Sequence, residues 1–220
     1  MRSDTLMRID TVIFDMDGTL IDTEKYYRIF WPMALREFGY EMTDEQALSM
    51  RSLGRPFAPA RLKEMFGPEL DYGAVRQRRK ELMEERLDRE GIELKPGAAE
   101  LLAWLKRHDI RSAIATATDL QRTEKYLRGL GIRDYFDQVI SATMVQEGKP
   151  SPDIYLYACR QLGRHPRDCM AVEDSPNGVL SAARAGCRVV MVPDQTDAEP
   201  ELERLLYAKV KRLDEITGLL

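Results

Sequence analysis

Histidine and cysteine are scarce in this chain of 220 residues, with two of the first and three of the second. The cysteines, Cys159, Cys169 and Cys187, are odd in number and never spaced as Cys-x-x-Cys. Neither a disulfide framework nor a zinc site is indicated, and small buried hydrophobes are expected instead. His108 and His165 each stand where a helix is expected to end, which suits capping. Any metal centre must therefore be built from oxygen donors, which favours magnesium over zinc. No apolar run approaches the roughly 18 residues of a membrane span, and Met1 to Asp10 has no hydrophobic signal-peptide core. The expected location is the cytoplasm. A basic excess is missing too: the net charge of -4 gives no electrostatic reason to bind nucleic acid or an anionic membrane. Oligomeric state is not legible, and a monomer is compatible with everything in the chain.

What is present is a globular composition, 44% hydrophobic and 32% charged, at a length that suits one large domain or one domain carrying an insertion. The most informative stretch is Thr11-Val12-Ile13-Phe14-Asp15-Met16-Asp17-Gly18-Thr19-Leu20. A short apolar run rich in β-branched residues reads as a buried strand, and it ends at two acids one residue apart. Residues i and i+2 of a strand share a face, so both carboxylates are expected to point at one spot, where an oxygen-seeking cation would relieve their repulsion. The plain alternative is a turn, since Asp caps turns and Gly takes positive φ. A calcium loop fails, because Leu20 and Tyr26 stand where it needs Gly and Glu. A phosphate loop at Gly148-Lys149 fails as well, because Thr143 stands where its first Gly belongs and Pro150 follows the Lys.

From about Thr23 to Glu90 the pattern is helical with no convincing strand, broken at Phe38-Gly39-Tyr40, Leu53-Gly54-Arg55-Pro56 and Phe66-Gly67-Pro68. Within it Arg76-Gln77-Arg78-Arg79-Lys80 reads as a solvated helix face, because Glu81, Glu84 and Glu85 follow within pairing reach. After Pro96 helix and strand alternate: strands are expected at Arg111 to Ala115, Gln138 to Ser141, Met170 to Val172 and Val189 to Val192. Ser151-Pro152 and Ser175-Pro176 each read as a helix start, with Ser as N-cap and Pro in the first position. Repeated βα units imply a parallel α/β sheet of Rossmann-like type with helices on both faces. The expected organisation is a core of residues 1–21 and 93–220, with residues 22–92 inserted as an all-helical cap.

In an open parallel sheet ligands gather beyond the carboxyl ends of the strands. The first strand delivers Asp15 and Asp17; the second delivers Thr116-Ala117-Thr118; the third is followed by Lys149; the fourth delivers Glu173-Asp174-Ser175. Each has an ordinary explanation alone, as a strand end, a surface lysine or a helix cap. Together they are a parts list for binding a metal and a phosphoryl group at once.

In that order and spacing the motifs resemble the haloacid dehalogenase-like hydrolase superfamily: Asp15-Met16-Asp17-Gly18-Thr19 the first, Thr116 the second, Lys149 in Gly-Lys-Pro-Ser-Pro-Asp the third, Glu173-Asp174-Ser175 the fourth. The resemblance covers essentially the whole chain, and the helical insertion after the first motif resembles the subgroup of β-phosphoglucomutase and phosphoglycolate phosphatase. It implies Asp15 as nucleophile carrying an aspartyl-phosphate and Asp17 as general acid and base. It also implies Mg²⁺ held by Asp15, the Asp17 backbone carbonyl, Asp174 and Glu173, and phosphoryl oxygens held by Thr116, Ala117 and Lys149. Arg55 is a candidate for the far end of the substrate, with Tyr26, Trp31 and Arg51 as further cap candidates. The expected function is a magnesium-dependent phosphatase for a small phosphorylated, sugar phosphate-like metabolite. The alternative is a phosphomutase, although those resembled carry a cap histidine twelve positions after the nucleophile, where this chain has Tyr27. Binding without turnover is a third reading, against which every motif is intact.

Overall fold

The structure, a computed structural model, describes residues 9–220. The stretch noted for lacking a signal-peptide core therefore lies almost wholly outside the described residues. Strand β1 (Thr11–Phe14) leads through a turn into four helices, α1 (Glu24–Glu37), α2 (Asp44–Ser49), α3 (Phe57–Phe66) and α4 (Tyr72–Glu90). Then come α5 (Ala98–Arg107), β2 (Arg111–Thr116), α6 (Leu120–Gly129), β3 (Gln138–Ser141), α7 (Asp153–Leu162), β4 (Cys169–Glu173), α8 (Pro176–Ala185), β5 (Arg188–Met191), α9 (Pro200–Glu203) and β6 (Leu206–Lys209). The six strands form one sheet in the order β3-β2-β1-β4-β5-β6. Every pairing is parallel.

The sheet separates two apolar layers, and the period of two assigns alternate residues to each. Val12, Phe14, Ile114, Met170, Val172 and Val190 enter one layer. Ile13, Ala113, Ala115, Ala171, Val189 and Met191 enter the other. Both faces being covered, the strands read as continuous apolar runs, which made all of the first five legible to within one residue at each end. Strand β6 was not foreseen: it is an edge strand with alternating half-buried and exposed residues, too short and polar to stand out.

Helices α1 to α4 build a third cluster around Trp31, Leu35, Leu62 and Val75. Thr43 caps α2 in a reciprocal box with Gln46. The two connections to the sheet run side by side, with Asp22 N–H donating to Glu93 at 2.9 Å and Lys95 N–H to Leu20 at 2.8 Å. Ser175 caps α8 as expected, accepting from Gly178 N–H at 3.2 Å. Ser151 does not cap α7: that helix starts later, with Pro152 at its N-cap, and the Ser151 hydroxyl donates to Asp153 instead. His108 caps the end of α5 and the three cysteines are buried, as expected, whereas His165 caps the start of a 3-10 turn over Pro166–Asp168 rather than the end of a helix. Among the described residues no helix is long and apolar enough to cross a membrane.

Candidate active site

The four strand ends meet. Asp15 follows β1, Thr116 ends β2, Lys149 lies in the loop after β3 and Glu173 ends β4 with Asp174 beside it. All of these side chains are buried, Lys149, Glu173 and Asp174 completely. The Lys149 ammonium donates to both Asp15 Oδ1 and Glu173 Oε1. Burial alone pulls its pKa down, but Asp15 and Glu173 overcome that and hold it above the ordinary lysine value. A lysine that reads as surface in isolation is thus a buried cation fixed between two acids.

Asp17 reaches the site differently from expectation. The chain leaves strand geometry after Phe14 and turns, with Gly18 at φ 84° and Leu20 and Ile21 both donating to the Met16 carbonyl. Turn geometry, rather than the pleat of a strand, therefore aims Asp17. Its Oδ1 accepts the Thr23 hydroxyl at 2.6 Å and its Oδ2 the Thr118 hydroxyl at 2.7 Å. Thr116 Oγ1 accepts from Thr118 N–H at 3.1 Å, so its own hydrogen is available to an anion. Asp15, Asp17, Thr116 and Ala117 line one cavity between the sheet and the helical segment.

The chemistry of the donor set fits a hard divalent cation. Asp15, Glu173 and Asp174 bring one carboxylate oxygen each within 4.8 Å of one another. Asp15 Oδ2 and Glu173 Oε2 are buried without a hydrogen-bond partner among the described residues. Orphaned anionic oxygens at zero exposure are costly unless a cation meets them. Burial, opposed by Lys149 and reinforced by Glu173 and Asp174, raises the Asp15 pKa well above the usual carboxylate range. Burial likewise pushes Asp174 up to about 6, with Arg51 opposing it. Asp174 is not orphaned: Thr19 donates to its Oδ1 at 3.2 Å and Arg51 of the helical segment pairs with its Oδ2. A metal bound to Asp174 has to share that carboxylate with Arg51 or displace it.

Several residues at the site went unnoticed in the sequence or were placed wrongly. Tyr155, on α7, donates to Glu173 Oε1 at 2.6 Å. Gly178 leaves room for Glu173, since a Cβ there would lie 1.9 Å from Glu173 Oε2. Arg51, one of the cap candidates named from the sequence, does line the cavity, and it also holds Glu24 at 3.6 Å. Arg55 does not line it: its side chain is exposed, and what the loop contributes is backbone, with Gly54 N–H donating to Lys149 O at 2.9 Å and Arg55 O accepting Gly148 N–H at 2.6 Å. The two glycines face each other so closely that a Cβ on Gly54 would lie 2.5 Å from the Gly148 Cα. Of the other cap candidates, Trp31 lines the cavity and Tyr26 faces away beside Phe30. The solvated face expected at Arg76–Lys80 holds for Gln77 but not for Arg79, which is only 4% exposed, and Lys80 pairs with Asp119 across the cavity edge rather than with a helical neighbour.

Comparison with known proteins agrees with this arrangement. A family model described as haloacid dehalogenase-like hydrolase matches residues 9–186. Hexitol phosphatase A of Escherichia coli is 33% identical over 96% of this chain and 94% of its own length. A phosphorylated carbohydrates phosphatase of Thermotoga maritima is 32% identical over 96% of this chain and 98% of its own. The crystal structure of CbbY from Rhodobacter sphaeroides in complex with phosphate superposes with a TM-score of 0.77 at 31% identity, covering 94% of this chain and 96% of that one. A β-phosphoglucomutase structure from Clostridium difficile shares the fold, with a TM-score of 0.80 at 23% identity.

Proposed function

The chain belongs to the haloacid dehalogenase-like hydrolases, and on that footing we propose that it is a phosphatase acting on a small phosphorylated, sugar phosphate-like metabolite through an aspartyl-phosphate on Asp15. The observation that carries the reading is the junction of Asp15, Lys149, Glu173 and Asp174 at adjacent parallel strand ends. Residues 22–92 act in this reading as a cap over the site, supported by their separate apolar cluster and paired connections.

Asp15 attacks phosphorus as the carboxylate while Asp17, protonated, gives its hydrogen to the leaving oxygen, so that the ester bond breaks as the acyl phosphate forms. The alcohol departs, and Asp17, now ionised, takes a proton from a water that attacks the same phosphorus and returns Asp15 to its carboxylate. The hydroxyls of Thr23 and Thr118 fix the Asp17 oxygens for both transfers. Two of the three Lys149 donors are spent on Asp15 and Glu173, and the third serves a phosphoryl oxygen, beside Thr116 and Ala117. Asp15, Asp174 and Glu173, with the Asp17 carbonyl, are the residues that would hold Mg²⁺. When bound, it supplies positive charge that lets Asp15 stay ionised and offsets charge on the transferring group. Tyr27 favours hydrolysis over a mutase: its hydroxyl bonds Thr118 at 3.0 Å, and burial raises its pKa above that of a free phenol, so it is no titrating counterpart of a cap histidine. Magnesium-dependent release of phosphate from p-nitrophenyl phosphate tests the proposal; its absence overturns it.

Two further results are expected. A carboxyl whose folded pKa is raised contributes stability that is complete below its ordinary value and lost as pH climbs through the folded one. For Asp174 that window runs from 3.8 to about 6, and Asp15 and Glu24 shift in the same direction. Magnesium should therefore raise the melting temperature by roughly 5 °C at about 100 times its Kd near pH 7.5, and by clearly less at pH 5, where protons occupy the same oxygens. Equal shifts at both pH values in thermal melts would remove this cluster as the metal's seat. Gly178→Ala pushes a methyl into Glu173 while leaving Asp15 alone. The expected cost is about 1–3 kcal/mol of stability and a magnesium activation constant weaker by roughly 10- to 100-fold; a magnesium titration of activity with an unchanged midpoint would show that Glu173 has no part in holding the ion.

A further inference from the structure

The buried face of α4 is the stripe Val75, Arg79, Met83 and Leu87. One of its four apolar-facing positions thus carries a guanidinium, and Arg79 is 4% exposed. Its Nε and Nη1 have no hydrogen-bond partner among the described residues. No carboxylate pairs with it there; two aromatic faces hold it instead, Tyr27 at 4.5 Å and Trp31 at 4.9 Å from its central carbon. Arg79, Arg76 and Arg122 line the same cavity as Asp15 and Asp17. Arg122 is itself 8% exposed, donates to Tyr126 Oη at 2.8 Å and leaves its Nε unpartnered. Arginine does not shed its proton, and aromatic faces offset only part of the desolvation of a buried cation. Burial disfavours the Arg79 charge, and Arg122 and Arg76 repel it further.

The position of this cationic wall relative to the reacting centre is fixed by a chain of contacts. Asp17 accepts from Thr118 at 2.7 Å, Thr118 meets the Tyr27 hydroxyl at 3.0 Å, and the ring of that tyrosine carries Arg79 on its face. Arg79 thus stands about one tyrosine away from the acid that serves the leaving group. A guanidinium fork there, with its Nε and Nη1 donors idle, matches a planar or tetrahedral anion. The geometry points to a second anion subsite: the substrate carries, on its leaving-group side, a further carboxylate or phosphate that Arg79 receives with Arg76 and Arg122 beside it. This rests on the phosphatase reading above and narrows its substrate to doubly anionic metabolites.

Two matched pairs of esters test it. Phosphoglycolate against ethylene glycol monophosphate isolates a carboxylate, and glucose bisphosphate against glucose monophosphate isolates a second phosphate. In at least one pair the anionic member is expected to win in kcat/KM by roughly 10- to 100-fold, mostly through KM, and the winning pair identifies the group. Arg79→Met is expected to bring that ratio close to one, and Arg79→Lys to restore part of it, a rescue that a role in packing alone would not show. Calorimetric Kd values for the same pairs on the Asp15→Asn protein keep the two ideas separable. Selective binding without turnover by the native protein would sink the phosphatase reading and leave the subsite standing. Turnover with no preference in either pair, or a preference that survives Arg79→Met, would overturn the subsite.

Discussion

Asp15→Asn is expected to lower phosphatase activity by a factor on the order of 10⁴ or more, without weakening the fold. The first half follows from chemistry: the amide has no anionic oxygen to attack phosphorus, and no neighbouring side chain stands in the same place. The second half follows from electrostatics. Asp15 is buried, and it is repelled by Glu173 and Asp174 while Lys149 attracts it. In the variant the amide oxygen still accepts from Lys149, while an NH₂ replaces the oxygen that has no partner and faces the acids as a donor. Melting temperature at pH 7.5 without magnesium should therefore stay level or rise, the sign of a site whose function costs stability. A variant that loses both activity and folding would show instead that Asp15 is mainly a structural ion-pair partner.

Lys149→Met is expected to do the opposite and damage both. Methionine preserves most of the volume but leaves Asp15 and Glu173 facing each other without their cation. Removing one partner of a buried pair costs about 3–5 kcal/mol, which for a chain of this size corresponds to a fall in melting temperature of roughly 10 °C. The rate should fall by about 10²-fold or more, since a preorganised donor to the phosphoryl oxygens is lost with the group that steadies the nucleophile. The deficit also has a pH signature. The lost attraction to Asp15 exists only while that carboxylate is ionised, and burial raises its pKa well above the usual range, so the gap between native and variant stability should narrow as pH falls from 8 toward 5. Urea melts at both pH values measure it; a gap that is constant, or below about 1 kcal/mol at pH 8, would mean that Lys149 is not the counter-charge of this cluster.

The parts of the site that sequence reveals are those delivered by parallel strands. A strand buried on both faces announces itself as an apolar run, its polar successor marks the carboxyl end, and topology collects such ends along one edge; Asp15, Thr116 and Glu173 were legible for that reason. Lys149 was placed after β3 by the same argument, but its burial was not legible, since nothing in a Gly-Lys-Pro loop reveals it. Asp17 was placed correctly for the wrong cause, because a turn with Gly18 at positive φ does what the strand pleat was expected to do. The helical segment was legible in its breaks and caps but not in what it aims at the site. Arg55 was favoured over Arg51, although the latter reaches Asp174 and the former stays in solvent. The charged run on α4 concealed Arg79, yet a signal was there: counted in fours from Val75 through Met83 to Leu87, the apolar stripe passes through Arg79. Tyr155 gives no such signal, because its partner Glu173 belongs to a different element and only the packing of α7 on the sheet joins them.

The most direct measurement is mass spectrometry of the enzyme acid-quenched during turnover of a phosphate ester with magnesium present. The peptide containing Asp15 should carry the mass of one added phosphoryl group, lost on treatment with hydroxylamine and missing from the Asp15→Asn protein. Turnover that proceeds with that peptide never modified, or with the phosphoryl group on another residue, would contradict a covalent reaction at the end of β1.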